Sequence, residues 1–224
     1  MAGAPAGPRA AERPAGHRAD RLHGRRLYLC TADRPDLAGF LARCIDGGVD
    51  VVQLRDKRLD ARPLLERAAL ARDVCRAAGV PFVLNDRPDL ALEVGADGVH
   101  VGQDDAPPRL ARRVLGAGAI VGLSTHAPAE LDASAPEPVD YVSTGPVEAT
   151  PTKPGRPGTG LGYLTYAAAR AGRPFFVTGG VTPATLPAML EAGARRFVVV
   201  RFLTDAEDPG ANARALRRVI DPWW

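Results

Sequence analysis

Gly95-Ala96-Asp97-Gly98-Val99-His100-Val101-Gly102-Gln103-Asp104-Asp105 holds one repeating unit of the chain in miniature. Gly95 suits the residue after a helix, where the backbone turns left-handed and the last carbonyls need closing. The run 98–101 is short, apolar and bounded by Gly, which is how a strand buried on both faces of a parallel sheet reads. The segment after it is polar and acidic, as a loop is. Helix end, tight turn, strand and polar loop follow one another within these few residues.

The same order recurs outward along the chain. Gly47-Gly48-Val49-Asp50 and Gly193-Ala194-Arg195-Arg196 also sit just before apolar runs, each with Gly at an expected helix C-cap. Strands are expected at 27–31, 49–54, 81–84, 98–101, 119–123, 139–143, 174–178 and 196–200. Patterns of period 3.6 lie between them, most clearly over 61–78, where Leu64, Leu65, Ala68, Ala71, Val74 and Cys75 form one stripe. Eight such units over 27–224 predict an α/β fold, a single (β/α)8 TIM barrel. A doubly wound open sheet is the alternative, but no G-x-G-x-x-G follows the first strand.

Composition bounds the function. The chain has 224 residues, 46% of them hydrophobic, enough for one core of barrel size. No stretch approaches the roughly 18 apolar residues of a membrane span, and no apolar run near the N-terminus marks a secretory signal. The formal net charge is +3, but residues 1–26 carry six Arg against Glu12 and Asp20. They read as a disordered basic tail, distinct from the barrel over 27–224. Beyond the tail nothing suggests a nucleic-acid surface. Cys30, Cys44 and Cys75 form no C-x-x-C pair and read as buried reduced thiols of a cytoplasmic protein. Homo-oligomerisation stays open, and the terminal Trp223 and Trp224 read as a packing or oligomer feature.

In a barrel of this kind chemistry sits where strands end. After the second strand comes Gln53-Leu54-Arg55-Asp56-Lys57, and period two aims Gln53, Arg55 and Lys57 the same way. Arg55 and Lys57 supply a forked and a point-like cation, a grip for pyrophosphate, unless the run is merely a solvated charged face. Only Lys57 and Lys153 are lysines, against 29 basic residues in total, so the surviving lysines mark places where a compact ammonium is needed. Asn85-Asp86-Arg87 follows the third strand and the Asp104-Asp105 loop the fourth. Two carboxylates from adjacent strand ends can share a hard cation such as Mg2+, with phosphate oxygens and water completing its shell; an acidic surface loop is the plainer reading. His100 alone reads more readily as a structural histidine. Ser124 in Ser124-Thr125-His126 lacks a nucleophile elbow and suits a phosphate hydrogen bond. The long loop 144–158 carries Thr150, Thr152 and Lys153 and reads as a lid over bound phosphate, or as a plain Pro/Gly linker. Gly179-Gly180 after strand seven, with strand eight ending at Val200-Arg201, suits a backbone phosphate cup.

Taken in order, Gln53-Leu54-Arg55-Asp56-Lys57, Asn85-Asp86-Arg87, His100-Val101-Gly102-Gln103-Asp104-Asp105, Ser124-Thr125-His126, Gly145-Pro146 through Thr150-Pro151-Thr152-Lys153-Pro154 and Gly179-Gly180 make residues 27–220 resemble the thiamine phosphate synthase family. The resemblance implies a transferase joining a hydroxymethylpyrimidine pyrophosphate to a thiazole phosphate, giving thiamine phosphate and pyrophosphate. It implies that Gln53, Leu54, Arg55, Asp56, Lys57, Asn85, Ser124 and Lys153 hold the pyrimidine substrate. Thr150, Pro151, Thr152, Gly180, Val200 and Arg201 would hold the thiazole phosphate, and Asp86 and Asp105 would ligate Mg2+. Arg55, Lys57 and Lys153 would neutralise the leaving group. The chain departs from the family at Arg201, where Ser is usual, near Thr178, where an aliphatic residue is usual, and at Asp56, commonly Glu. Arg201 has two readings: a direct phosphate contact, or an outward pose paired with Asp205 or Glu207. A thiazole tautomerase of the same fold would not need the cations at 55, 57 and 153, an epimerase or aldolase would lack the 53–57 and 150–153 segments, and a ligand sensor would not need the acid pair.

Overall fold

In a computed structural model of the chain, residues 21–150 and 157–224 are described. The strands are β1 (Leu27–Thr31), β2 (Val51–Leu54), β3 (Phe82–Asn85), β4 (Gly98–Val101), β5 (Ile120–Thr125), β6 (Tyr141–Thr144), β7 (Phe175–Val177) and β8 (Phe197–Val199). Between them run helices α1 (Leu37–Asp46), α2 (Ala61–Ala77), α3 (Pro88–Val94), α4 (Pro108–Leu115), α5 (Pro128–Ala133), α6 (Gly160–Arg170) and α7 (Leu186–Glu191). The short α8 (Arg201–Thr204) and the longer α9 (Pro209–Ile220) follow β8. Every strand pairs in parallel with its sequence neighbours, and β8 returns to β1 in the register Leu27 to Phe197. The closed barrel of eight strands is the fold read from the sequence, and it leaves no sheet edge to protect.

The helix stripes explain the outer layer. Leu64, Ala68, Ala71 and Cys75 are the buried positions of α2, spaced to lie along one face. They meet the outward residues of the strands, among them Leu29, Val52, Leu54 and Leu84, in one continuous core. Pro88 opens α3, where a missing N–H costs nothing, and Gly95 ends it in the left-handed conformation. At the first of the three repeats it is Gly48 rather than Gly47 that takes the positive φ. The three cysteines are buried and form no disulfide, and burial pushes the Cys44 and Cys75 thiols up to about 12.

A second, smaller cluster fills the barrel's interior: Leu22, Tyr28, Val51, Val83, Ile120, Tyr141 and Phe176. Leu22 corrects the boundary drawn at residue 26. The stretch 21–26 is not a free tail: Leu22 is 1% exposed beneath the barrel, Arg21 pairs with Asp97, and the Asp50 carboxylate accepts from the Arg26 and Leu27 N–H groups. A lone leucine between Arg21 and His23 gives no periodic signal, so its plugging role was invisible to pattern. At the same end, Arg26 and Arg196 lie against the Trp224 ring at 4.3 and 5.0 Å, which makes the terminal tryptophans part of the barrel's floor.

Candidate active site

The C-terminal ends of the strands open onto a cavity of about 610 Å3. Gln53, Arg55 and Lys57 all line it, as their alternation required. Leu54 and Asp56 do not. Leu54 is 1% exposed and belongs to the layer under the helices. Asp56 turns away from the cavity and braces the loop: its carboxylate accepts from the Arg58 backbone N–H at 3.0 Å, from the Arg58 guanidinium at 2.7 Å and from the Asp33 N–H at 3.2 Å. The Arg58 hydrogen bond holds the Asp56 carboxyl at about 2, below its usual value. Leu54 and Asp56, expected among the substrate-holding residues, flank Arg55 on either side, and neither is among the residues that line the cavity.

Asn85, at the end of β3, lines the cavity and lies 3.5 Å from Gln53 across the strand pair. Asp86 follows with φ of 62°, the one non-glycine residue at positive φ among the described residues. Its N–H donates to the His100 carbonyl at 2.8 Å. A left-handed aspartate at a strand end is a costly turn that persists where its surroundings hold it, commonly at working sites. The Asp86 carboxylate lies 2.8 Å from Lys57 Nζ, and Asp105, from the loop after β4, lies 4.0 Å from the same ammonium. Burial, with Asp105 adjacent, raises the Asp86 carboxyl above its ordinary value. Asp105 is also burdened by burial, but hydrogen bonds from Asp86 and from the Gly102 N–H, with Lys57 nearby, bring it below. The two acids thus press on one another, and the single Lys57 ammonium, 2.8 Å from one and 4.0 Å from the other, offsets only part of that repulsion. An all-oxygen pair of this kind suits a hard divalent cation. Among the described residues no group of three or more His, Cys, Asp or Glu side chains forms a metal cage, so such a cation would depend on substrate oxygens and water.

The floor between the strands is polar. Ser124 and His100 are buried, with His100 Nε2 2.9 Å from Ser124 Oγ and His100 Nδ1 2.9 Å from the Tyr141 hydroxyl. His126 also faces the cavity, its Nδ1 held by Glu130 at 2.8 Å. Tyr28, Cys30, Tyr141 and Ser143 line the floor as well and were missed by sequence reading. The signal was present as Tyr28/Cys30 and Tyr141/Ser143, each pair two apart on a strand, but both faces of a barrel strand are buried and so alternation between them is muted.

The opposite rim is built from backbone. Gly180, Val200 and Arg201 line the cavity, as does Thr150 at the edge of the long loop. Pro151, Thr152 and Lys153 lie outside the described residues. At Gly179 a side chain would run into Pro146 and the Val147 nitrogen, at 2.5 and 2.7 Å from a Cβ, so the loops after β6 and β7 can touch only through glycine. The N–H groups of Gly180, Val181, Arg201 and Phe202 find no acceptor among the described residues, the Glu148 carboxylate lies against Gly180, and such a set of backbone donors at a cavity rim suits an anion. Arg201 is exposed at this rim. It makes no ion pair with Asp205 or Glu207; the Asp205 carboxylate instead accepts from the Thr204 hydroxyl at 2.9 Å. Of its two readings, the outward pairing is not what the structure adopts.

Comparison with known proteins points one way. A family model described as thiamine monophosphate synthase matches residues 27–203. A thiamine-phosphate synthase from Thermobifida fusca is 52% identical over 204 residues, covering 88% of this chain and 93% of the relative. Another from Thermus thermophilus is 51% identical over 198 residues, covering 86% and 95%. Among solved structures, a thiamine phosphate pyrophosphorylase from Pyrococcus furiosus superposes with a TM-score of 0.81 at 25% identity, over 92% of this chain and 98% of that one. A 3-hexulose-6-phosphate synthase, at 23% identity and a TM-score of 0.65, shares the fold.

Proposed function

The chain belongs to the thiamine monophosphate synthase family, and on that premise we propose how its residues divide the work of the family's reaction. It is a transferase of thiamine biosynthesis: it couples the pyrophosphate of 4-amino-5-hydroxymethyl-2-methylpyrimidine to a thiazole phosphate, releasing thiamine phosphate and pyrophosphate. The observation that carries the assignment of residues is the pairing, across one cavity, of a cationic and acidic rim with a rim of backbone N–H groups that have no acceptor among the described residues. Two anionic substrates of different charge need two such different ends.

Arg55 and Lys57 take the pyrophosphate, Arg55 through its fork and Lys57 as a point charge. Lys57, held by Asp86 until substrate arrives, is already placed at that end. Gln53 and Asn85 take the pyrimidine's polar edge beside it, with Ser124 below. Asp86 and Asp105 would hold Mg2+, which when bound supplies charge neutralisation for the departing pyrophosphate. The bond between the pyrimidine methylene carbon and the pyrophosphate oxygen breaks, its electron pair leaving with the pyrophosphate. The thiazole nitrogen then donates its lone pair to that carbon. No protein nucleophile or general base is required, so the residues act by positioning, by holding charge in place before the reaction and by keeping water away from the exposed carbon. Lys153, on the loop after β6, would add a cation to the leaving group when substrates are bound, and Thr150, Pro151 and Thr152 would close over the thiazole phosphate. That phosphate sits on the N–H cup of Gly180, Val181, Arg201 and Phe202, with Val200 in the turn and the Arg201 guanidinium as an added fork.

A cytoplasmic location accords with the buried reduced cysteines, and no helix among the described residues is long and apolar enough to cross a membrane. The test of the whole reading mixes the purified protein with both substrates and Mg2+. Thiamine phosphate and pyrophosphate should form in equal amounts, and excess chelator should stop the reaction. Full turnover in chelator would refute the metal assignment, and no product under any condition would refute the residue roles together.

A further inference from the structure

Beneath the substrate cavity the floor is a single line of hydrogen bonds. The Tyr28 and Tyr141 hydroxyls lie 2.9 Å apart, Tyr141 lies 2.9 Å from His100 Nδ1, and His100 Nε2 lies 2.9 Å from Ser124 Oγ. All four residues are buried. The fold makes room for this line deliberately: a Cβ at Gly122 would run into the Tyr141 ring, so a glycine on β5 lets the tyrosine of β6 reach across to His100. Tyr28 and Tyr141 each pack edge-on against Phe176, at 5.3 Å, which fixes both rings.

Each phenol has one proton, so the line can run in either of two directions. In one, Tyr28 donates to Tyr141, Tyr141 donates to His100 Nδ1, and His100 carries its proton on Nε2 and donates to Ser124. In the other every arrow reverses, and Ser124 spends its own proton on His100. In the first direction the Tyr28 hydroxyl has Tyr141 as its acceptor, 2.9 Å away; in the reverse its proton has no other hydrogen-bond acceptor among the described residues. A buried donor left unmade costs more than a spare phenolic lone pair. Burial raises both phenols above their ordinary values, so both keep their protons. At the far end, Ser143 Oγ donates to Ser124 Oγ at a longer 3.4 Å, which agrees with a Ser124 oxygen that accepts within the floor.

We propose that Tyr141, supported by Tyr28, is a positioning residue that fixes the Nε2–H tautomer of His100 and thereby turns the Ser124 hydroxyl into a hydrogen-bond donor aimed at an acceptor atom of the pyrimidine substrate. Specificity follows from the direction. A floor that only donates accepts a ring nitrogen or a phosphate oxygen and rejects a ligand that presents an N–H there, whose proton would meet a proton.

The inference rests on the reading of Ser124 as a pyrimidine contact, but its first test needs no substrate. In 15N-histidine-labelled full-length protein, assigned against His100→Asn, long-range 1H–15N correlations report which ring nitrogen of His100 carries the proton. Nε2–H is expected; Nδ1–H would overturn the proposal whatever the enzyme makes. In Tyr141→Phe the enforced tautomer should give way to a mixture, and the KM for the pyrimidine substrate should rise about three- to tenfold, the loss of one neutral hydrogen bond, with the thiazole KM unchanged. In a Ser124→Ala background the same change should add less than about twofold, because a residue acting through Ser124 has nothing left to act on. Equal effects of Tyr141→Phe on both substrates, or full additivity with Ser124→Ala, would show a structural role only and refute the proposal. If Tyr141→Phe does not fold, Tyr28→Phe takes its place: Tyr141 keeps a proton for Nδ1, so the Nε2–H form should persist, and conversion to Nδ1–H would refute the assigned direction.

Discussion

Replacing Arg201 by Ser is the sharpest perturbation of the thiazole end. Arg201 is exposed at the cavity rim and has no acidic partner among the described residues, so removing it strands no buried charge and should shift stability by no more than about 0.5 kcal/mol. What it loses is binding. A hydrogen bond to a charged group is worth about 1.5–3 kcal/mol when well sheltered, while a fully exposed ion pair is worth about 0.2–1 kcal/mol. A guanidinium at the mouth, over a phosphate half enclosed by backbone N–H groups, falls between them, at about 1–2 kcal/mol. That corresponds to about a 5- to 30-fold rise in the KM for the thiazole phosphate. Because the contact is to a phosphate far from the reacting bond, it binds ground state and transition state alike, and kcat should hardly move. Initial rates with each substrate varied at saturation of the other give both constants. Added salt should shrink the difference between the two proteins, since the lost contact is screened. A thiazole KM unchanged within twofold, or an equal rise for both substrates, would refute direct contact.

The acid pair, the barrel floor and the β2 loop give three further tests. Asp86→Asn and Asp105→Asn should each move the Mg2+ titration of activity to higher concentration by about tenfold or more, as each removes one of two anionic oxygen ligands; superimposable titrations would remove the pair from the metal site. Leu22→Ala should cost about 2–5 kcal/mol, the range for truncating a buried leucine, and lower Tm by several degrees in a thermal melt, whereas an unchanged Tm would mean that the plug is not seated in solution. Asp56 is ionised in the folded protein down to about 2 and has an ordinary value of 3.8, so its contribution is present above about pH 4 and lost as pH falls towards 2. Urea midpoints should therefore drop more steeply over that window in the wild type than in Asp56→Asn, and parallel profiles would remove Asp56 as the loop's brace.

The barrel was legible because its signal is repeated. Any one of the runs at 27–31 or 98–101 is ambiguous, but helix end, turn and strand recur at regular intervals, and the strand limits found differ from those expected by a residue or two at most ends. The site was legible where loop residues carry charge: Arg55, Lys57, Asp86 and Asp105 meet at one rim as their places after β2, β3 and β4 required. The scarcity of lysine was a usable hint at Lys57, which faces both acids. Reading failed where a residue's partner is distant in sequence. Asp33, which adds its N–H to the Arg58 brace of Asp56, lies 23 residues away, and nothing near Tyr141 announces His100, which lies 41 residues away. Such contacts are set by barrel closure, not by local pattern.

The acid pair is also the strongest physical argument about how the two ends of the cavity differ. A rim meant to receive pyrophosphate should be cationic, and Arg55 and Lys57 make it so. Placing Asp86 and Asp105 on that rim would by itself oppose binding, because the incoming oxygens would meet two carboxylates at close range. The structure gives these acids one lysine between them, with Asp86 held in an unfavourable backbone conformation to bring it there. Carboxylates that damage anion binding when bare become an asset only when a divalent cation sits between them and the phosphates. The opposite rim would need no such device, since on the proposed assignment a single phosphate meets backbone N–H groups and one arginine. If these residues take the roles proposed, pyrophosphate affinity would be conditional on the cation and the thiazole end independent of it. Binding measured by calorimetry should divide accordingly: inorganic pyrophosphate should lose most of its affinity in chelator, and the thiazole phosphate should keep its own. Equal losses for the two ligands would mean that the acids serve the fold or the whole mouth, and not the pyrophosphate.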